Sequence, residues 1–531
     1  MNLIIFLVAF VILMCVFVEK FSDKFGMPAL IFFMFIGMLF GSDGIFKIPF
    51  DDFRLAENIC SIALIFIMFY GGFNTKWSAA KSVAGKSVML STFGVLITAG
   101  VTTLLCHYCL KISWEESFLI GSVLSSTDAA SVFAILRKNK LNLKDGTASI
   151  LEVESGSNDP VSYMLTIVAI SVSNMGGFES ILKNIALQLI LGVLIGIVLG
   201  KITLNILMNT NLVSDGLEMI YMIASVLICY ALTAYLNGNA YLSVYLFGIY
   251  IGNQRIKKKK EIIPFFDGVT SLAQILIFFL IGLLTFPHQM PQIIPTAVAV
   301  VMFLTVIARP IAVFILLKPL KCSWNQCLLI AWAGLRGASS SVFAIMAVAA
   351  GISMKQELFH IVFMVSLFSV AIQGTLLPNM ARILSMVDDQ SDVRKTFNDY
   401  QEETAFQLMK MHIPSGHHWE NRMIKDVKMP TGSLALMIKR GKESIITKGD
   451  TVIHADDDII LSVTPYNPEE SEKLKERIIE KGDSWCDKSI GELKISKNKL
   501  IAMVIRENQP IIPDGKTIIK ENDVVVLISM K

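Results

Sequence analysis

The sequence predicts a polytopic α-helical membrane protein with about thirteen transmembrane helices. These form inverted repeats with broken helices at the midplane, and a small cytoplasmic α+β tandem module follows them. Three observations predict this fold. Of the 531 residues, 53% are hydrophobic and only 17% charged, with a mean hydropathy of +0.60; a soluble chain of this length carries far more charge. Apolar runs long enough to cross ~30 Å of hydrocarbon recur through residues 1–385. The composition then turns polar, and the polar part is internally duplicated.

The apolar windows fall at 3–18, 27–42, 57–73, 86–109, 116–136, 149–173, 180–207, 217–236, 239–252, 265–285, 292–318, 325–349 and 358–384. The first lacks a basic leader and a small-residue cleavage site, so it reads as a spanning helix rather than a signal peptide. Loops after windows 3, 5, 9 and 11 are basic (KWSAAKSVAGK, LRKNKLNLK, NQRIKKKK, LLKPLK), whereas those after 2, 6, 8 and 12 are neutral or acidic. The positive-inside rule then places the N-terminus outside and the C-terminus in the cytoplasm. Lys257–Lys260 reads as a topology anchor in this scheme rather than an anionic-lipid site. A net charge of +3 gives no reason to expect nucleic-acid binding. The eight cysteines show no paired or CxxC spacing, so neither disulfides nor zinc is indicated.

Two internal repeats stand out. SVFAI occurs at 131–135 within the fifth window and at 341–345 within the twelfth, each time in small, Ser-rich surroundings. By the topology above the two helices run in opposite directions, the signature of an inverted-repeat transporter whose site lies at the repeat interface. In the polar part, residues around Trp419 align without gaps to those around Trp485, an offset of 485 − 419 = 66. Matched landmarks include Arg440/Arg506, Gly449/Gly515, Thr451/Thr517 and Asp457/Asp523. Each copy reads as a short amphipathic helix after the Trp, then β-rich strands and a Gly turn, with NPEESEKLKERIIEKG as a charged helix between copies. The expected division is a transmembrane domain at 1–385, a polar linker at 386–402, and modules at 403–466 and 467–531.

Charge inside the membrane locates the chemistry. A charged side chain at the bilayer centre costs ~2.5–3.5 kcal/mol on insertion scales, so it needs a partner, a water-filled cavity or a function. The stretch LEVESGSNDP at 151–160 carries three acids. Glu152, Ser155 and Asp159 stand at i, i+3 and i+7 and share a helix face, with Asp159 ~10 Å deeper than Glu152. Glu154 and Asn158 form an i, i+4 pair on a different face. Asp128 lies midway along the fifth window beside Ser125, Ser126 and Thr127, and Arg336 midway along the twelfth inside GLRGASSS. Gly, Ser and Thr at both points weaken the helix and expose carbonyls and helix ends for ion coordination. A buried arginine stays charged and needs a permanent carboxylate, for which Glu154 is the natural candidate. Asp128 and Asp159 are then left for a hard monovalent cation, with hydroxyl and carbonyl oxygens around them. Asp128 also fits the N-cap of a half-helix, and Glu152 the wall of a solvated vestibule.

Burial in a low dielectric favours the neutral form of a carboxylate, so such a group trades a proton for a cation. One shared site and alternating access give obligatory exchange. Because Asn158 precedes Asp159, one exchangeable carboxylate implies one proton per cation, an electroneutral exchange. Two adjacent acids would couple more readily to the membrane potential.

ESGSNDP, the STD of the fifth window and GLRG of the twelfth together resemble the monovalent cation:proton antiporter superfamily, and specifically its NhaP-type branch of bacterial potassium/proton antiporters. The resemblance covers essentially all of residues 1–385. It implies an inverted-repeat fold, a homodimer in the bacterial cytoplasmic membrane, and a cation site near Thr127, Asp128, Ser155 and Asp159. It further implies that Asn158 and a Glu154–Arg336 pair support that site. Where relatives often place an acid before the small residues of the third helix, this chain has Tyr70 in FYGGF, a neutral ring at the vestibule. The duplicated module resembles the C-terminal subdomain (TrkA-C) of regulators of potassium conductance. That resemblance implies a small regulatory ligand at subunit interfaces, cyclic di-AMP in some bacteria, and otherwise no cofactor. His412, His417, His418 and His454 in this module read as solvated surface histidines.

The reading is a potassium/proton antiporter regulated by the duplicated module, with a sodium/proton antiporter as the alternative. A ligand-gated cation channel is a different class, but no filter-like carbonyl loop such as TVGYG occurs. An enzyme would need a nucleophile–base or metal-ligand constellation, and none is apparent in the sequence.

Overall fold

A computed structural model of the chain describes most of residues 2–388 and 407–530. Residues 76–80, 174–177, 389–406 and 464–471, with some shorter stretches, lie outside the described residues. The linker expected at 386–402 falls there beyond residue 388, as do Lys257 and Lys258 of the basic block. The chain divides into two compact units, Met1–Tyr400 and Gln401–Lys531.

The first unit is helical. It begins with α1 (Asn2–Phe25), α2 (Ala29–Phe40), α3 (Phe53–Asn74) and α4 (Ala84–Leu110). A broken pair, α5 (Trp114–Val123) and α6 (Ala129–Lys138), precedes α7 (Thr147–Ser173). Next come α8 (Phe178–Asn209), α9 (Glu218–Tyr235), α10 (Ala240–Gly252) and α11 (Lys259–Leu283). The unit closes with α12 (290–317), a second broken pair α13 (Trp324–Trp332) and α14 (Ala338–Ala349), and α15 (355–383). Every predicted window coincides with one of these helices or broken pairs, and among the described residues seven helices are long and apolar enough to cross a membrane on length and composition alone.

Local chemistry explains several boundaries. Asp52 caps α3 by accepting the Leu55 N–H at 3.0 Å. Ser113 caps α5, accepting the Glu116 N–H while its hydroxyl donates to the Glu116 carboxylate. Ser323 caps α13 through the Gln326 N–H. Both broken helices therefore start on a capping Ser followed by Trp, and 323 − 113 = 210 is the same offset as SVFAI, 341 − 131 = 210. The likeness continues further upstream: α4 and α12 each contain a π-helical segment, Leu90–Gly94 and Phe303–Ala308. Helices α3 and α10 approach closely because Gly72 and Gly248 carry no side chain; a Cβ there would lie 2.2 and 2.4 Å from the partner's backbone oxygens.

Among its described residues, the second unit contains two four-stranded antiparallel sheets of identical topology. The first has the order β1 (Gln407–His412), β4 (Asp458–Val463), β2 (Leu434–Arg440), β3 (Glu443–Ile446). The second has β5 (Glu472–Ile478), β8 (Val524–Met530), β6 (Lys499–Arg506), β7 (Gln509–Ile511). The 66-residue offset reaches fine detail: the register shift at Ala435/Met437 recurs at Ile501/Met503. Two expectations are corrected. EKLKERI of the supposed charged helix is strand β5, because its backbone completes the sheet edge against β8, and that pairing overrides the helix propensity of Glu, Lys and Arg. The segments after the two tryptophans contain 3-10 turns, Ile424–Asp426 and Ile490–Glu492, in place of amphipathic helices. Their backbone N–H groups bond across to Thr451 and Thr517, so the chain folds onto the module instead of coiling on itself.

The shared landmarks Arg440/Arg506 and Asp457/Asp523 are bidentate pairs. Arg440 Nε and Nη2 donate to Asp457 at 2.8 Å each, and Arg506 to Asp523 at 2.8 and 2.7 Å. Burial by itself raises the Asp457 carboxyl, but Arg440 and the His454 N–H outweigh it and hold it below the usual carboxylate range. The same balance, with Arg506 and the Lys520 N–H, holds Asp523 low. A carboxyl lower in the folded than in the unfolded chain stabilises above the unfolded value of about 4 and loses that contribution as pH falls through the folded value. We expect acidification below about pH 4 to open the module to limited proteolysis in the full-length protein. Asp457→Asn should cost about 1–3 kcal/mol at neutral pH and blunt that acid sensitivity; an unchanged acid profile would remove these pairs as its cause.

Candidate functional site

The site forms where the two broken helices meet α7. The break between α5 and α6, residues 124–128, leaves the last carbonyls of α5 without helical N–H partners. Arg336, in the second break, supplies donors: its Nη1 reaches the Ser126 carbonyl at 2.5 Å and the Ser125 carbonyl at 3.3 Å. The breaks are also joined directly, the Asp128 N–H donating to the Leu335 carbonyl at 2.8 Å. A guanidinium thus sits at the negative end of α5. Its backbone N–H is held by the Ser369 hydroxyl at 3.0 Å, in the π segment Ser369–Gly374 of α15.

Asp128 takes the capping role. Its carboxylate accepts the Ser131 N–H at 3.3 Å and the Ser131 hydroxyl at 2.6 Å at the start of α6. It also lies against Gly337, where a Cβ would come within 2.0 Å of Oδ2, so the approach of the two breaks requires glycine there.

From α7, three predicted residues reach the first break. The Ser155 hydroxyl donates to the Thr127 carbonyl at 2.5 Å, and the Asn158 amide donates to the Thr127 hydroxyl at 2.5 Å. The amide oxygen of Asn158 is fully buried, with no hydrogen-bond partner among the described residues. Asp159, 3% exposed, accepts one hydroxyl from each break: Ser126 on Oδ1, and Ser339 on Oδ2 at 2.7 Å. Asn239, which caps α10, fixes this part of α7 by donating to the Pro160 carbonyl at 2.7 Å.

The Glu154–Arg336 pair is corrected. Glu154, fully buried, pairs with Arg309 at 2.7 and 2.8 Å. Arg309 stands in α12 directly after the π segment and is 3% exposed. Arg336 lines the same cleft but spends its Nη1 on the carbonyls freed by the broken helix, so Glu154 is left to the second buried arginine. Asn158, expected on the Arg336 side, turns to Thr127 instead. Glu152 is half-buried on α7, and Tyr70 is buried on α3. The ring of Tyr245, from α10, packs on Gly156, where a Cβ would come within 2.6 Å of it.

The sequence alone does not single out Arg309, Ser126, Ser339 or Tyr245. Arg309 had a usable signal, since the rule that made Arg336 conspicuous applies equally to an arginine inside the apolar run 292–318. Ser126 stands out in the sequence only as a neighbour of Asp128. Ser339 is one of three consecutive serines, and nothing local tells them apart.

A family model described as sodium/hydrogen exchanger, transmembrane, matches residues 6–383, and one described as TrkA-C domain matches 408–468 and 474–529. The chain is 31% identical over 470 residues to a K(+)/H(+) antiporter NhaP of Alkalimonas amylolytica, covering 87% of this chain and 81% of that one. It is 30% identical over 447 residues to a K(+)/H(+) antiporter NhaP2 of Shewanella baltica, covering 82% and 76%. A Na(+)/H(+) antiporter, ApNhaP, of Aphanothece halophytica is 24% identical over 378 residues, covering 66% and 70%. Among solved structures, the sodium proton antiporter MjNhaP1 of Methanocaldococcus jannaschii shares the fold at a TM-score of 0.64 and 23% identity, covering 72% of this chain and 99% of that one.

Proposed function

The chain belongs to the sodium/hydrogen exchanger family of cation/proton antiporters, and from that premise we propose that it exchanges potassium for protons, one for one, at Asp159. The observation that carries this reading is the environment of that carboxylate. It is buried, and its oxygens face hydroxyls, while Arg309 is committed to Glu154 and Arg336 to backbone carbonyls. Its charge is therefore open to neutralisation by a proton or by a monovalent cation, one at a time. Hydroxyl, carbonyl and carboxylate oxygens suit a hard ion. Thr127, Ser155 and Asp128 complete the oxygen set in this reading, with Asn158 holding Thr127 in place.

Relatives named as K(+)/H(+) antiporters support potassium. Sodium is the second reading, favoured by the 24% identical relative named as a Na(+)/H(+) antiporter. Electroneutrality follows from a single exchangeable acid beside a neutral asparagine. In this reading the protein is a homodimer and its TrkA-C modules regulate exchange. Everted vesicles with an imposed pH gradient test it, titrated with potassium, sodium and lithium separately. Potassium should dissipate the gradient at the lowest concentration, independently of membrane potential, and deleting 386–531 should change its regulation but keep exchange. A response to sodium alone would replace the potassium assignment, and a potential-dependent rate would rule out the one-for-one stoichiometry.

A further inference from the structure

We propose that Ser339 is a cation-binding residue contributed by the second repeat, and that it sets the competition between cation and proton at Asp159. The proposal deepens the reading above and rests on it. Ser339 is the second residue of α14, is 7% exposed, and lies 180 residues from Asp159 in sequence, yet its hydroxyl sits 2.7 Å from Oδ2. Ser126 does the same from the first break on Oδ1, so each broken helix places one hydroxyl on one oxygen of the carboxylate.

A hydroxyl is suited to this position for a specific reason. Towards the bare carboxylate it donates its hydrogen in a charge-assisted bond, the stronger kind. When a cation arrives, the hydrogen rotates away and a lone pair faces the ion, while the oxygen itself stays where it is. A backbone carbonyl in its place would repel the bare carboxylate, and an amine would repel the cation. Against the neutral acid, the hydroxyl makes only an ordinary hydrogen bond. Ser339 therefore stabilises the bare and cation-loaded forms more than the protonated one. Removing it weakens cation binding relative to proton binding.

The neighbouring serines are internal controls. The Ser340 hydroxyl is buried without a hydrogen-bond partner among the described residues, and the Ser341 hydroxyl donates to the Gly337 carbonyl at 3.1 Å. The experiment measures exchange in everted vesicles for the parent, Ser339→Ala, Ser339→Thr, Ser341→Ala and Asp159→Asn, each checked for thermal stability in detergent. In Ser339→Ala, the KM for potassium at pH 7 should rise about tenfold, the equivalent of one charge-assisted hydrogen bond, with kcat little changed and the activity midpoint moved to more alkaline pH. Ser339→Thr should restore both values, and Ser341→Ala should match the parent. If Ser339→Ala fails to fold, Ser339→Cys replaces it, since a thiol is a poor ligand for a hard cation. An unchanged KM and pH midpoint in a folded Ser339 variant, with Asp159→Asn inactive, would overturn the proposal alone. Retained exchange in Asp159→Asn would instead overturn the reading beneath it.

Discussion

Asp159→Asn should abolish cation-dependent dissipation of a pH gradient, at every pH and for every cation tested, while leaving the protein folded and in the membrane. Asparagine has nearly the shape of aspartate and still offers an oxygen to Ser126 or Ser339. It holds neither a proton to release nor a charge to attract an ion. If exchange works by alternate neutralisation of this one carboxylate, the substitution removes both half-reactions together. Fluorescence dequenching in everted vesicles should fall to the level of vesicles lacking the protein. Full exchange by a folded Asp159→Asn protein would place the site elsewhere.

The largest effect on stability is expected at Arg309. Arg309→Met leaves the carboxylate of Glu154 buried and unpaired, a change worth about 3–5 kcal/mol when one partner of a buried ion pair is removed. Glu154→Gln alone strands the guanidinium instead. The double variant removes both charges and should recover most of the loss. In a double-mutant cycle read by thermal unfolding in detergent, the coupling should reach about 0.5–3 kcal/mol, as for residues in direct contact. The same cycle between Glu154 and Arg336 should show much weaker coupling, because Arg336 is held by the carbonyls of Ser125 and Ser126. Strong coupling to Arg336 and none to Arg309 would restore the pairing expected from sequence.

That reversal shows where sequence reasoning stops. The burial of a charge in the span carrying Glu154 was legible, since hydropathy and bilayer thickness leave little choice. The identity of its partner was not, since two arginines in different helices can each reach one glutamate and only the packing of α12 against the broken pairs selects between them. Asp128 shows the opposite case. Its position next to Thr127 and before a helical run already suggested a cap, and the local chain delivers that with Ser131 only three residues away. The residues of the strand Glu472–Ile478 favour helix, yet the edge of a neighbouring sheet, invisible to a local window, makes them a strand.

The linear sequence by itself determined the apolar helices, the two helix breaks announced by SVFAI and its Ser-rich surroundings, and the duplicated module with its 66-residue period. Each depends on interactions among near neighbours or on transfer between water and hydrocarbon, and both are written in composition and spacing. Only the tertiary structure decided which arginine neutralises Glu154 and which of three consecutive serines touches Asp159. Those contacts join residues 155 and 180 positions apart. They exist because helices that are indistinguishable by hydropathy pack in one arrangement out of many.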